Sequence, residues 1–532
     1  MVSSVYSVLS KTPLLSTEYR IQHWSWVSTS LSLVQAVLAP IIASISDTFQ
    51  ARKYILVGAS LVSCAGCAVA PGSQSMNRLI GAQILIGFGF SAAPLAYVIP
   101  SEIAPRKWRP MVQATMNIAA CLGAIAGPLS IGALTRSNPK DGWRTYFWIE
   151  MGLWAIAVAG IMVGYHPPKR HTRYDHLTVW QKLGRTDFVG SGLLAAGLTL
   201  LMTGLSLGGN QYRWTNSRVL ATLIVGSIAL LSFGAYEWKG TKTGIFHHDL
   251  FRREGRMGRT FALCLFLMFL EGVLFFAMVN FYPILTTMLF EQDSLLVVLR
   301  GQPYFMVGMV SAVFWGYVST RFQTIREPLF AGYLIMTAGM AAMATIQPND
   351  SASAIGFASL QGIGVGAPLI LIITGVQLAT PHSCIATATG VTTSARSLAA
   401  SMFTAIYAAA MQTRLQTKIP AYVAKAAAQA GLPPSSIGAF VGAIASQDTA
   451  ALSGIPGVSQ VIVGAGGAAL KQAYADSVRV VFIIGAPFGV VACVASLFLG
   501  DLRQTMNYSV DAPIEDLHAS GKRQQENVTG GV

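Results

Sequence analysis

Thr260-Phe-Ala-Leu-Cys-Leu-Phe-Leu-Met-Phe-Leu-Glu271-Gly-Val-Leu-Phe-Phe-Ala-Met-Val-Asn280-Phe-Tyr-Pro-Ile-Leu285 carries one acidic residue and no basic one. A bilayer's hydrocarbon core, about 30 Å thick, takes roughly 20 apolar residues as a helix. In lipid every backbone polar group must be satisfied within the segment, so such a run is helical. Twelve further runs meet the same test. They cover 25–45, 54–73, 79–99, 111–134, 146–165, 188–207, 218–237, 301–320, 328–346, 352–376, 384–411 and 478–499. The fold class is all-α, a polytopic membrane protein with thirteen spans.

Composition agrees. Of 532 residues, 53% are hydrophobic and 11% charged, against about 25% charged in soluble domains. The net charge of +14 would suggest nucleic acid in a soluble protein. Here most of the basic excess sits in short loops, so it reads as membrane orientation and not as nucleic-acid binding. With the Arg52–Lys53 loop inside, 21 basic residues fall in cytoplasmic segments and 7 in the short external loops. That asymmetry places 500–532 in the cytoplasm and 413–477 outside. The six cysteines lie in or beside apolar runs. Cys64 and Cys67 have no second pair, so no metal site is expected. A GxxxxGK[ST] loop and an HExxH cluster are both missing. That weighs against ATP-driven transport and against an enzyme, and no cofactor is implied.

The chain contains an internal echo. Ala43-Ser-Ile-Ser-Asp47-Thr-Phe49-Gln50-Ala-Arg52-Lys53 follows the first run. Gly316-Tyr-Val-Ser-Thr320-Arg-Phe322-Gln323-Thr-Ile-Arg326 follows the ninth. Gly87-Phe-Gly89 and Gly362-Ile-Gly364 recur at nearly the same offset. Repeated helical bundles are a transporter architecture, with the substrate site between the halves near the midplane.

These segments resemble the major facilitator superfamily. The first-loop segment is similar to its G-x-x-x-D-x-x-G-R-R signature, with Ala43, Gln50 and Ala51 as departures and Asp47 and Arg52 retained. Pro100-Ser-Glu102-Ile-Ala-Pro105-Arg-Lys-Trp-Arg109 resembles the family's loop between its fourth and fifth helices. Together these imply a cytoplasmic latch of Asp47, Arg52, Glu102 and Arg109. Gly123-Ala-Ile-Ala-Gly127-Pro128-Leu-Ser-Ile-Gly132 resembles the antiporter signature of drug exporters. Gly123, Gly127 and Gly132 are expected to strip one stripe for a close helix contact. Pro128 is expected to bend the helix. Asp187, the runs at 188–237 and Glu237-Trp238 resemble the inserted pair of fourteen-helix members. The subgroup resembled is that of fungal trichothecene efflux pumps and fungal siderophore transporters. Against it, the first family helix has no counterpart run in residues 1–23, which hold Lys11, Glu18 and Arg20.

The expected organisation is an N-terminal segment 1–24, a first bundle 25–165, and loops with two inserted helices over 166–259. A second bundle follows over 260–499, carrying the external loop 413–477, and then a cytoplasmic tail 500–532. Ionisable residues inside spans are functional candidates by default. Glu271 is the proton-coupling candidate; hydrogen bonding to a neighbouring helix is its plain alternative. Gln35, Gln83, Asn117, Asn280, Gln361 and Arg396 are candidates for lining a substrate cavity. Arg396 could instead pair with a carboxylate or bind an acidic substrate. The expected function is proton-coupled efflux of a small, largely apolar molecule such as a fungal secondary metabolite. Siderophore-iron uptake by proton symport and a transport-inactive receptor are the alternatives. The expected partners are that small molecule, protons and the lipid of a cell, vacuolar or other internal membrane; the oligomeric state is open.

Overall fold

The computed structural model describes residues 17–49, 51–167, 178–208, 212–241, 244–245, 250–251, 257–446, 451–452 and 454–511. Gln50 of the first-loop signature lies outside these residues. So do Lys11 of the N-terminal segment and, of the basic residues counted for orientation, Lys169, Arg170, Arg173, Lys242, Arg252, Arg253, Arg256, Lys522 and Arg523.

All thirteen apolar runs fall on helices. The first bundle comprises α1 (Thr17–Phe49), α2 (Arg52–Val69), α3 (Met76–Ile103), α4 (Arg109–Ser137) and α5 (Gly142–Gly164). The inserted pair is α6 (Phe188–Leu207) and α7 (Ser217–Ala235). The second bundle has α8 (Met257–Leu289), α9 (Ser294–Phe322), α10 (Arg326–Met343), α11 (Ser351–Ala379), α12 (Ile385–Gln429) and α14 (Gln460–Leu497). Between its last two helices lies α13 (Pro434–Ser446). Eleven of the described helices are long and apolar enough to cross a membrane. The remaining two of the thirteen, α10 and α12, are diluted by Arg326 and Glu327 and by a Thr/Ser-rich first half.

Two expected boundaries move. Helix α1 starts at Thr17, ahead of the apolar run, because no Gly or Pro interrupts residues 17–24. Helix α12 runs for 45 residues, about 67 Å at 1.5 Å per residue, over twice the hydrocarbon thickness. Its Ala-rich extension runs on through Pro420 and ends only at Gly431, whose φ is 89°. The connecting segment 413–477 is therefore largely helical. Val423, Ala427, Phe440, Ile444, Ile462 and Leu470 form a core of its own there.

Packing bears out the duplication. Helix α1 packs on α3 as α9 packs on α11; α2 packs on α3 as α10 packs on α11. A Cβ on Gly87 would lie 2.8 Å from Val34 Cβ on α1, and one on Gly362 would lie 2.6 Å from Tyr304 O on α9. Gly89 likewise faces Ser63 on α2, and Gly364 faces Met336 on α10. Each glycine pair lets an interior helix approach two neighbours at once. One relation has no counterpart among the described residues. Helix α8 packs on α11, α12 and α14, whereas no described helix covers α3, α4 and α5 in that way. The halves meet along α1–α12 and α4–α9, and α6 lies over the first of these seams.

Candidate functional site

Gly272 follows Glu271 on α8. A Cβ there would stand 2.9 Å from Arg396 O and from Ala399 Cβ, so its absence lets α12 close on α8. That approach brings two polar side chains of the second bundle together. Arg396 Nε stands 2.8 Å from Glu271 Oε2, and its Nη2 donates to Oε1 at 3.1 Å. The Glu271 side chain is 0% exposed and that of Arg396 is 24% exposed. The guanidinium also lies 4.5 Å over the Phe275 ring, a cation–π contact. It sits on α12, the helix that packs on α1 across the seam between the halves.

The other cavity candidates are more scattered. Asn117 donates to Cys121 Sγ at 3.6 Å, one turn along α4. Asn280 donates to Thr404 Oγ1 at 2.9 Å, about two turns farther along the same helix pair as Glu271 and Arg396. Gln83 is buried on α3, and Gln35 is half-buried on α1. Gln361 packs instead against Gly339 of the outer helix α10, and both its amide atoms lack a partner. One further group joins the site that sequence reasoning passed over. Tyr304 is buried, its hydroxyl has no partner, and its ring lies 6.1 Å from that of Phe275. Nothing in its local pattern separates it from the surrounding aromatic packing.

Three of the four latch residues converge. Asp47 Oδ2 accepts from Thr387 N and Thr387 Oγ1, both at 2.8 Å, and so caps the start of α12. Such a carboxylate satisfies helix-terminal N–H groups and complements the dipole. Arg52 bridges Asp47, at 3.4 Å, and Glu102. Arg109 belongs to a neighbouring cluster: it donates to Ser101 O at 3.0 Å and to Gln377 O of α11 at 2.8 Å, and it pairs with Asp511. Arg109 thus stands one cluster over from Asp47, at the start of α4, and reaches across to α11 of the second bundle. Gln113 adds a bond to Ser101 Oγ at 2.6 Å and one to Gln377 Oε1 at 3.3 Å. Thr387, Gln113, Gln377 and Asp511 come from distant sequence, and no local signature marks them.

The glycine stripe is corrected. A Cβ on Gly132 would lie 3.4 Å from Ser294 O and Leu295 Cα of α9, whereas one on Gly123 would meet nothing within 4 Å. At about 100° per residue, nine residues put these two glycines on opposite sides of α4. Pro128 is buried and Gly127 half-buried. The contact with α9 is therefore made at Gly132 and not along a continuous stripe.

This architecture is that of the major facilitator superfamily. A bacterial proton:xylose symporter, XylE, superimposes with a TM-score of 0.52 at 15% identity, covering 97% of this chain and 94% of its own. An auto-inhibited POT-family peptide transporter gives 0.51 at 15% identity, covering 91% and 94%. Residues 14–529 match the family described as fungal trichothecene efflux pump (TRI12), and the chain belongs to that family. Among curated relatives, the MFS-type transporter ucsD of Acremonium sp is 25% identical over 70% of this chain. The efflux pump apf11 of Gibberella fujikuroi is 28% identical, also over 70%. The matched parts span 61% and 66% of those relatives' own lengths.

Proposed function

We propose that this chain exports a small, largely apolar organic molecule in exchange for protons, by alternating access between its two bundles. Membership of an efflux-pump family supports export. The observation that carries proton coupling is the Glu271–Arg396 pair, a carboxylate without exposed surface held by a partly open cation at the seam. Protonating Glu271 removes the charge that holds Arg396, and a cation is then left facing the cavity. A neutral or cationic ligand is disfavoured in that state, so proton uptake and ligand binding oppose each other, as exchange requires. A ligand bearing its own carboxylate would behave oppositely. It would bind the released Arg396 together with the proton, which is symport. The pair therefore favours export of a ligand without net negative charge over uptake of an anionic chelate.

The test is flux of a trichothecene, the compound class in the family's description, in vesicles with an imposed pH gradient. Glu271→Gln keeps the shape but cannot titrate. It should lose gradient-driven accumulation while downhill exchange survives. A Gln variant that answers the gradient as the unmodified protein does would remove Glu271 from the coupling step.

A further inference from the structure

We propose that residues 500–511 form a strap across the inner end of the bundle, with Asp511 as the positioning residue that pins the two halves shut. The inner end here is the one that the basic residues assign to the cytoplasm.

The strap is anchored first to the second bundle. Gly500 N donates to Thr260 Oγ1 at 3.2 Å. Leu502 and Met506 are 2% and 0% exposed and belong to the core of that bundle. Gln323, just past α9, donates to Met506 O at 3.3 Å. The chain then crosses to the α3–α4 turn of the first bundle. There Lys107 N donates to Asn507 O at 2.8 Å and Arg106 N to Ser509 O at 3.0 Å. Lys107 Nζ donates to the Tyr508 hydroxyl at 2.9 Å and lies 4.8 Å over its ring. Asp511 accepts from Arg106 Nε at 3.0 Å and Nη2 at 2.6 Å, and also from Arg109.

The two attachments differ in kind. The first is apolar and continuous with α14, so it travels with the second bundle. The second is a short polar ladder ending in one carboxylate between two arginines. Arg109 is itself 0% exposed and already bridges to Gln377 O of α11. Asp511 thus neutralises the cation that ties α4 to α11. If the halves separate at this end, the 507–511 ladder has to break, because Met506 stays behind in the second bundle. Release of the strap becomes a step of the cycle, at residues outside both the Glu271 pair and the Asp47 latch.

The experiment reads thiol reactivity of Ser101→Cys, a buried seam position, in full-length protein lacking its native cysteines. Inside-out vesicles expose the inner face to an impermeant maleimide. Asp511→Asn should speed labelling by about tenfold or more, the effect of losing a hydrogen bond to a charged group. Asp511→Glu should restore slow labelling. A second variant guards against misfolding. Lys107→Cys with Asn507→Cys joins segments whose backbones are bonded, and its disulfide should suppress labelling until reductant is added. Unchanged labelling in Asp511→Asn, or labelling that proceeds equally with the disulfide closed, would overturn the proposal.

Discussion

Removing one member of the Glu271–Arg396 pair should hurt asymmetrically. Breaking a buried ion pair from one side costs about 3–5 kcal/mol, because the survivor is left charged and unpaired. In Glu271→Gln the survivor is Arg396, whose side chain is 24% exposed and stacked on Phe275. It retains partial hydration, so this variant should sit at the low end, about 3 kcal/mol. In Arg396→Gln the survivor is a carboxylate with 0% exposure. That variant should approach about 5 kcal/mol, unless the group takes up a proton. The double variant places two glutamines in hydrogen-bonding reach with no net charge. It should recover about 2–3 kcal/mol relative to the sum of the singles, since contacting residues couple on that scale. The assay is reversible denaturant unfolding of the purified protein in mixed micelles, read for the four members of the cycle. Additivity within about 0.5 kcal/mol would mean that the two residues do not hold each other. A milder loss in Arg396→Gln than in Glu271→Gln that does not change with pH would refute the burial argument specifically.

Other expectations concern the seams and the orientation. Gly132→Leu should over-pack the α4–α9 contact by about 1–3 kcal/mol and reduce transport, whereas Gly123→Leu, facing open space, should leave stability unchanged in the same unfolding assay. Asp47→Asn keeps an acceptor for Thr387 but loses the charge shared with Arg52; transport should fall while membrane abundance, read by blotting, is retained. A cysteine at Ser446 should react with an impermeant thiol reagent on intact cells and one at Ser520 should not; the reverse would invert the assigned orientation. Burial alone would raise the Asp511 carboxyl, but Arg106 and Arg109 outweigh it and hold it below its ordinary 3.8. A depressed carboxylate contributes above its ordinary pKa and fails as pH falls through the lowered one. Ser101→Cys labelling should therefore stay slow from neutral to mildly acidic pH and quicken only below about pH 4.

The sequence shows the helices well because lipid imposes a single requirement, an apolar run of sufficient length. It shows the repeat because Gly87/Gly89 and Gly362/Gly364 each serve the same two contacts. It does not show where helices stop once they leave the bilayer. Ala-rich residues 412–429 continue a helix in water as readily as in lipid, so the 67 Å length of α12 has no hydropathic mark. Glu271 and Arg396 were each legible as costly residues in lipid, but their pairing was not. A sequence separation of 125 says nothing of register, and Gly272, which allows the approach, looks like any other membrane glycine. The glycine motif misled for a geometric reason, since a match of residue types carries no phase unless the helical angle is applied to it. Asp511 was invisible because its partners lie 402 and 405 residues earlier.

Helix α12 joins the Glu271–Arg396 pair to the Asp47 cluster. Over ten residues it presents Thr387 to Asp47, Gly390 to the α1 backbone at Ala39, Ser394 to Ala36 O, and Arg396 to Glu271. Nine residues of helix span about 14 Å, so a change of partner at Arg396 acts on that cluster through one rigid element. No chain of soft contacts is needed between them. While Glu271 is charged, Arg396 fixes α12 against α8, and α12 in turn seats on α1 at Gly390 and on Asp47. Under the proposed coupling, neutralising Glu271 would release that contact and let α12 tilt, loading the cap at Thr387 and the seam at Gly390 together. Under that proposal, the element through which coupling passes is a single helix. A Val at Gly390 would separate the two roles. Its side chain cannot fit where a Cβ already stands 2.6 Å from Ala43 Cβ and 2.8 Å from Ala39 O. It should therefore hold the α1–α12 seam apart while leaving the Glu271–Arg396 pair intact. Ser101→Cys should label quickly in that variant whatever the pH. If its labelling remained slow and closed, the seam would not be what α12 controls.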